Sequence, residues 1–243
     1  MPSPVTDAST AGLPESSRFA TTAWSLVLQS RDRGEFARPA LELLCRIYWR
    51  PLYAYAHRRF GTPHLAEDAV QSFFTSLLES DLLAQADPQR GRFRNYLLAC
   101  FSQSMARQNR HERAAKRYPG TPVIPLDAIE HELDDRTLSP ETAFDRAWAL
   151  TLLERAVNRL KSEFTADGRE VRFQAMRGML NSTSVTDGGE LARQLNLSDG
   201  AARVALHRFR QRYAEIVREE VRGTIEHDAD LEAEIRDLMA AFA

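Results

Sequence analysis

Arg107, Arg110, Arg113 and Arg117 recur at helical spacing, with Lys116 alongside. Guanidinium groups repeated along one side of a helix suit a polyanion, and nucleic acid is the obvious one. Between 92 and 117 there are seven basic residues against one acid, Glu112, a net charge of +6. A solvated basic face is the alternative reading of the same residues. A second basic set follows much later, where Arg203, His207, Arg208, Arg210 and Arg212 share one stretch with only Asp199 opposing them. Glu67, Asp68 and Gln71 form a third polar group, acidic in character. Glu67 and Asp68 are adjacent, so on a helix they point about 100° apart and cannot jointly clamp a metal. The six His form no HExxH pattern, and no Ser/His/Asp or Cys/His arrangement stands out. The chain is therefore expected to bind rather than catalyse, with no cofactor and no metal.

Each group needs an element to hold it. The stretch 92–117 has no Pro or Gly, which predicts one unbroken helix of roughly 39 Å at about 1.5 Å per residue. Its first half carries Phe93, Leu97, Phe101 and Met105 beside Leu98, an apolar stripe that must be buried. Glu67, Asp68 and Gln71 fall on a predicted helix at 64–80 whose buried face is Ala66, Val70, Phe73, Phe74, Leu77 and Leu78. Gly61 stops the helix before it, Thr62 is the expected cap and Pro63 sits in the first turn. Two acids near a helix start are also what the helix dipole favours without any partner. The helix before that, over 41–60, contains Pro51 and should kink or split at Arg50.

The later basic set reads as the second helix of a helix-turn-helix. A short helix over 190–195 meets a turn at 196–198, and a longer helix follows. Small Ala192 lets the two cross closely, Leu195 and Leu197 fill the corner, and Ser198 caps the second helix. Asn196 takes the turn position, where a left-handed backbone is needed and Asn tolerates it. An ordinary helical hairpin is the alternative. Upstream, Ser139-Pro140-Glu141 opens a helix with Phe144, Trp148, Leu152, Leu153, Ala156 and Leu160 as its core face, and another helix is expected at about 169–180.

The predicted fold class is all-α: two small helical domains joined by an acidic linker, the second ending in the helix-turn-helix. The domains are placed at 21–118 and 140–222, with a disordered segment at 1–20, the linker at 119–139 and a tail at 223–243. Charge segregates along these boundaries, since 126–145 carries a net −6 and 223–243 a net −5 although the whole chain is only −2. Cys45 and Cys100 sit singly on apolar stripes and read as core side chains. No apolar run approaches the roughly 20 residues needed to span a bilayer, and the opening residues lack the features of a secretory signal. A cytoplasmic protein without membrane contact is the expectation.

The order of these parts resembles one family. AEDAVQSFFTSLLE at 66–79, RGRFRNYLLA at 90–99 and ELARQLNLSDGAARVALHRFRQRY at 190–213 are similar to the extracytoplasmic-function (ECF) class of bacterial RNA polymerase sigma factors, in a subgroup with short extensions at both ends. The resemblance spans about 21–222. It implies that the 64–80 helix binds the β′ clamp helices of core RNA polymerase through Glu67, Asp68 and Gln71. It implies that 92–117 reads and opens the minus-ten promoter element, with Arg92, Arg94, Asn95, Tyr96, Arg107, Arg110, Arg113 and Arg117 as DNA contacts. It further implies that the second domain reads the minus-thirty-five element through Ser198, Arg203, His207, Arg208 and Arg210, and touches the β flap. Tyr96 stands where many members have Trp, and Ala202 and Ala205 thin the base-reading set. Silencing by an anti-sigma protein, by a Ser/Thr kinase or by the chain's own tail stays open. So does a free-standing two-domain DNA-binding regulator.

The tail has a pattern of its own. Leu231, Ile235, Leu238 and Phe242 recur as on an amphipathic helix over 229–242, so the tail should dock rather than float. Its acids make it a mate for the basic helices at 92–117 or 199–213. Extension of the second domain's core is the other outcome the pattern allows.

Overall fold

The computed structural model describes residues 27, 37–80, 82–115, 138–180, 188–225 and 227–242, and for 37, 38, 88, 108–115 and 188 the backbone alone. Every regular element among them is helical. The expected disordered segment at 1–20, most of the linker expected at 119–139 and most of a polar Ser/Thr/Gly loop expected from Asn181 to Gly189 lie outside the described residues. Thr21-Thr22 before Trp24, Val27 and Leu28 predicts a short amphipathic helix, and of these residues only Val27 is described; it is helical and buried.

Helix α1 (Ala37–Phe60) runs through Pro51 instead of splitting at Arg50. An internal proline costs a helix about 3 kcal/mol. Here Leu44, Ile47 and Tyr48 before it, and Leu52, Tyr55 and Ala56 after it, are all buried. Burial at about 1.5–3 kcal/mol per large apolar side chain on both flanks outweighs the local penalty. Gly61 then breaks the helix at φ +72°, a conformation that glycine adopts without strain, and its N–H donates to the His57 carbonyl at 2.8 Å.

Helix α2 (Pro63–Glu79) buries Ala66, Ala69, Val70, Phe73, Phe74 and Leu77. Leu78, expected in the core, is 56% exposed. On the helical wheel it lies about 40° beyond Phe74, outside the buried arc. Thr62 has the extended backbone of a cap residue, yet its side chain makes no capping bond, so Pro63 supplies the start signal.

A short helix α3 (Leu82–Gln85) and a 3-10 turn (Pro88–Arg90) lead to Gly91 at φ +117° and into α4 (Phe93–Ala115). Phe93, Leu97, Phe101 and Met105 are buried as the stripe requires. Edge-on ring pairs lock α4 in place: Phe73 with Phe101 at 5.1 Å and Tyr48 with Phe93 at 5.5 Å. Cys45 and Cys100 are half-buried free thiols on this unit, and burial pushes the Cys45 thiol up.

Helix α5 (Pro140–Ala166) begins with the cap read from sequence, Ser139 Oγ accepting from the Thr142 N–H at 3.1 Å. Its two halves serve two clusters. Phe144, Trp148, Ala149 and Leu152 join the core of α1–α4. Ala156, Leu160 and Phe164 pack with α6 (Glu170–Arg177), α7 (Gly188–Leu195) and α8 (Asp199–Arg222) through Phe173, Met176, Leu191, Ala202 and Phe209. The two expected domains therefore share a helix, and α1 and α5 lie along each other. A 3-10 turn (Asp228–Asp230) and α9 (Leu231–Ala240) then bring the tail back to the first core, where Ile225, Leu231 and Leu238 are buried. The tail takes part in both outcomes its pattern allows: α9 packs against α5 and α8, and its acids reach Arg92 and Arg94 at the start of α4.

Candidate nucleic-acid interface

On α2, Glu67, Asp68 and Gln71 are all exposed, outside the apolar arc. Asp68 is 3.6 Å from His64 Nδ1, and that histidine is itself solvent-facing. This acidic surface is open to a macromolecular partner.

The loop after α3 and the first turn of α4 enclose a polar notch of about 170 Å³, lined by Gln85, Asp87, Arg90, Gly91, Arg92, Asn95 and Tyr96. Asp87 Oδ1 accepts from the Gln89 N–H at 3.0 Å and shapes the turn. The Tyr96 hydroxyl donates to the Leu82 carbonyl at 2.6 Å, which pins the ring against α3. Asn95 is exposed at the rim. Two amides, a carboxylate, two arginines and a tyrosine thus line one small concavity.

At Arg92 and Arg94 the acids of the tail meet the basic stretch at 92–117, one of the two mates that the tail's charge allows. Arg92 Nε lies 2.7 Å from Glu234 Oε2, and its Nη1 contacts Asp237. Arg94 Nη1 lies 2.7 Å from Glu234 Oε1 and its Nη2 lies 3.2 Å from Asp237 Oδ2. Arg94 is 6% exposed and Glu234 1%. The Arg94 guanidinium also stacks over the Trp148 ring at 4.0 Å, so α4, α5 and α9 meet at one ionic cluster. Burial pushes the Glu234 carboxyl up, against the pull of Arg94 and Arg92. Burial likewise raises Asp145 nearby. At Asp237 burial acts in the same sense, but the Arg92 hydrogen bond and the two guanidinium charges outweigh it and hold that carboxyl low. The sequence signals for this cluster were the −5 charge of the tail and its apolar stripe; which acid would be buried had none.

Farther along α4, Arg107 is exposed. Arg110 and Arg113 fall within α4 but their side chains, like Lys116 and Arg117 altogether, lie outside the described residues.

The second basic set divides in two. Asn196 has φ +51°, so α7 and α8 meet at the left-handed turn the sequence predicts. Ser198 Oγ accepts from the Ala201 N–H at 3.3 Å and caps α8. Gly200, Arg203, Val204, His207, Arg208 and Gln211 form one exposed stripe at spacings of three and four. Ala202 is fully buried, which is why a small residue stands there. Arg210 faces away from the stripe, with Nε and Nη2 donating to the Met179 carbonyl at 3.1 and 2.8 Å. Arg212 also turns inward, held by Glu163 at 2.7 and 2.9 Å and by Glu215 and Glu219, which together keep its guanidinium firmly charged. The outward set is thus Arg203, His207 and Arg208, with Val204 (51% exposed) as an apolar member that sequence reasoning did not single out. Replacing Ser198 by Ala is expected to cost about 1 kcal/mol through the lost cap. A thermal melt followed by circular dichroism checks it, and an unchanged midpoint would remove the capping role.

The family model of Sigma-70 region 2 matches residues 44–115, from within α1 to the end of α4. Residues 44–115 are similar to a sigma-70 region 2. That match supports a sigma-70 family sigma factor, and region 2 implies binding of core RNA polymerase and of promoter DNA. Neither the curated proteins nor the solved structures give a match to the chain. The matched residues include both the acidic face of α2 and the polar notch before α4. No helix among the described residues is long and apolar enough to cross a membrane.

Proposed function

We propose that the chain is a cytoplasmic sigma factor of the ECF class, a promoter-specificity subunit that acts only with core RNA polymerase and is not a catalyst by itself. One observation carries the reading: a region 2 match over 44–115 is followed by a capped helix-turn-helix geometry at 188–222 with an exposed Arg203, His207 and Arg208 stripe. In this reading the α2 face of Glu67, Asp68 and Gln71 meets the β′ clamp helices. The notch and the arginines of α4 meet the minus-ten element as it opens. Helix α8 enters the major groove at the minus-thirty-five element, with Arg203 and Arg208 directed at base edges or phosphates and Val204 placed for a thymine methyl.

Run-off transcription with core polymerase on a pool of genomic promoters tests the proposal. The expected result is initiation at a discrete subset of promoters only when both proteins are present. Tight sequence-specific binding to duplex DNA without polymerase, and no initiation with it, would instead establish a free-standing DNA-binding regulator.

Reversing Glu67 and Asp68 together to Lys is expected to weaken binding to core polymerase while the helical signal stays intact, because exposed substitutions typically move stability by only about 0.5 kcal/mol. Titration against the isolated β′ clamp fragment measures it. Unchanged affinity would move the polymerase contact elsewhere.

A further inference from the structure

Arg92 belongs to two structures at once. It lines the notch with Asn95 and Tyr96, and it is gripped by Glu234 and Asp237 of α9. Arg94 behind it is enclosed by the same two acids and by Trp148. Each guanidinium gives one nitrogen to Glu234 and one to Asp237, and phosphate oxygens are acceptors of the same charge and kind, so DNA and the two carboxylates compete for one pair of groups. The rest of the tail is anchored independently of this grip. Arg218 holds Glu232 at 2.7 Å and Arg222 holds Asp228 at 2.9 Å, so the base of α9 is tied to the end of α8. Meanwhile the acidic face of α2 is exposed.

We propose that α9 is an intramolecular stand-in for the DNA backbone: Glu234 and Asp237 occupy the Arg92–Arg94 pair in the free chain, and a DNA strand reaching the notch exchanges those carboxylates for its phosphates. The proposal rests on the promoter-binding reading of region 2 given above. In the free chain the polymerase-facing surface is available and the arginines beside the notch are held, so unassisted DNA binding is suppressed. The anchors to Arg218 and Arg222 keep the displaced helix close enough to return. Coupling of this kind is reciprocal, because a tail that weakens DNA binding must itself be loosened by DNA to the same degree.

The test uses the full-length chain without polymerase and a fluorescein-labelled oligo-dT strand, since phosphate contacts are independent of base sequence. Asp237→Asn removes a half-exposed charge with no change of shape and is expected to tighten oligo-dT binding several-fold. Glu234→Gln combined with Asp237→Asn is expected to tighten it about tenfold, within the usual range of intramolecular coupling. Hydrogen exchange on the unaltered chain supplies the independent measurement: saturating oligo-dT should accelerate exchange of the amides of 231–240. A folded double variant that binds oligo-dT no better than the parent chain overturns the proposal, as does unchanged protection of 231–240 with DNA bound. If the double variant does not fold, the exchange measurement on the unaltered chain decides alone. Run-off transcription separates this idea from the reading beneath it. A chain that initiates with core polymerase but shows neither change keeps its sigma role and loses the latch.

Discussion

Replacing Trp148 by Ala is expected to lower stability by about 3 kcal/mol and to loosen region 2, although Trp148 lies far outside residues 44–115. Its side chain is 1% exposed and packs in the core of α1–α4 with Phe144 and Leu152. Truncating a buried Trp typically costs about 3–5 kcal/mol through lost transfer energy and the cavity left behind. Loss of the Arg94 stack adds to that cost. The indole N–H is buried with no acceptor among the described residues, and removing an unsatisfied donor recovers part of the loss, which favours the lower end. Urea denaturation gives the magnitude. Hydrogen exchange gives the location: protection should fall in α1 and α4, not only in α5. Were the two units independent domains, the damage would stay within 140–222. A Trp148→Ala chain with native protection of α1 would show that the shared core has no energetic weight.

In the proposed reading, Arg203→Ala should cost on the order of 1–3 kcal/mol in promoter binding by the holoenzyme and relax sequence preference. Arg203 lies on the exposed stripe near the capped start of α8, where a recognition helix meets base edges. Arg107→Ala provides the contrast. That exposed side chain on α4 suits phosphate contact, so its loss should weaken all promoters alike and reduce the salt slope by about 1. Binding measured across a set of promoter variants at several salt concentrations distinguishes them. The same loss of specificity from both substitutions would refute the division between base reading and backbone contact. Arg210→Ala, by contrast, removes a guanidinium already bound to the Met179 carbonyl, so its main effect should be on the packing of α8 against the turn after α6.

Much of this protein is determined locally. Periodicity of three and four places α2, α4, α5 and α8, because each must bury one stripe whatever its neighbours are. Short-range chemistry places their starts: Ser139 and Ser198 cap through their own side chains, and Asn196 adopts the left-handed turn predicted for it. The acidic face of α2 and the basic stripe of α8 were legible for the same reason, since an amphipathic helix declares its outer face when it declares its inner one.

Tertiary structure decided what depends on residues far apart in the chain. Pro51 stays inside α1 because packing on both flanks outweighs a local penalty. Leu78 remains in solvent because the buried arc of α2 stops at Phe74. Arg210 and Arg212 look like members of the basic stripe but point at Met179 and Glu163, partners 31 and 49 positions away that no local pattern reveals. The sharing of α5 between two cores and the closure of Glu234 on Arg94, 140 positions apart, belong to the same class. A charged residue carries no sequence mark that separates a solvated position from a buried, paired one. That distinction rests on whether a counter-charge arrives from elsewhere to offset the loss of water.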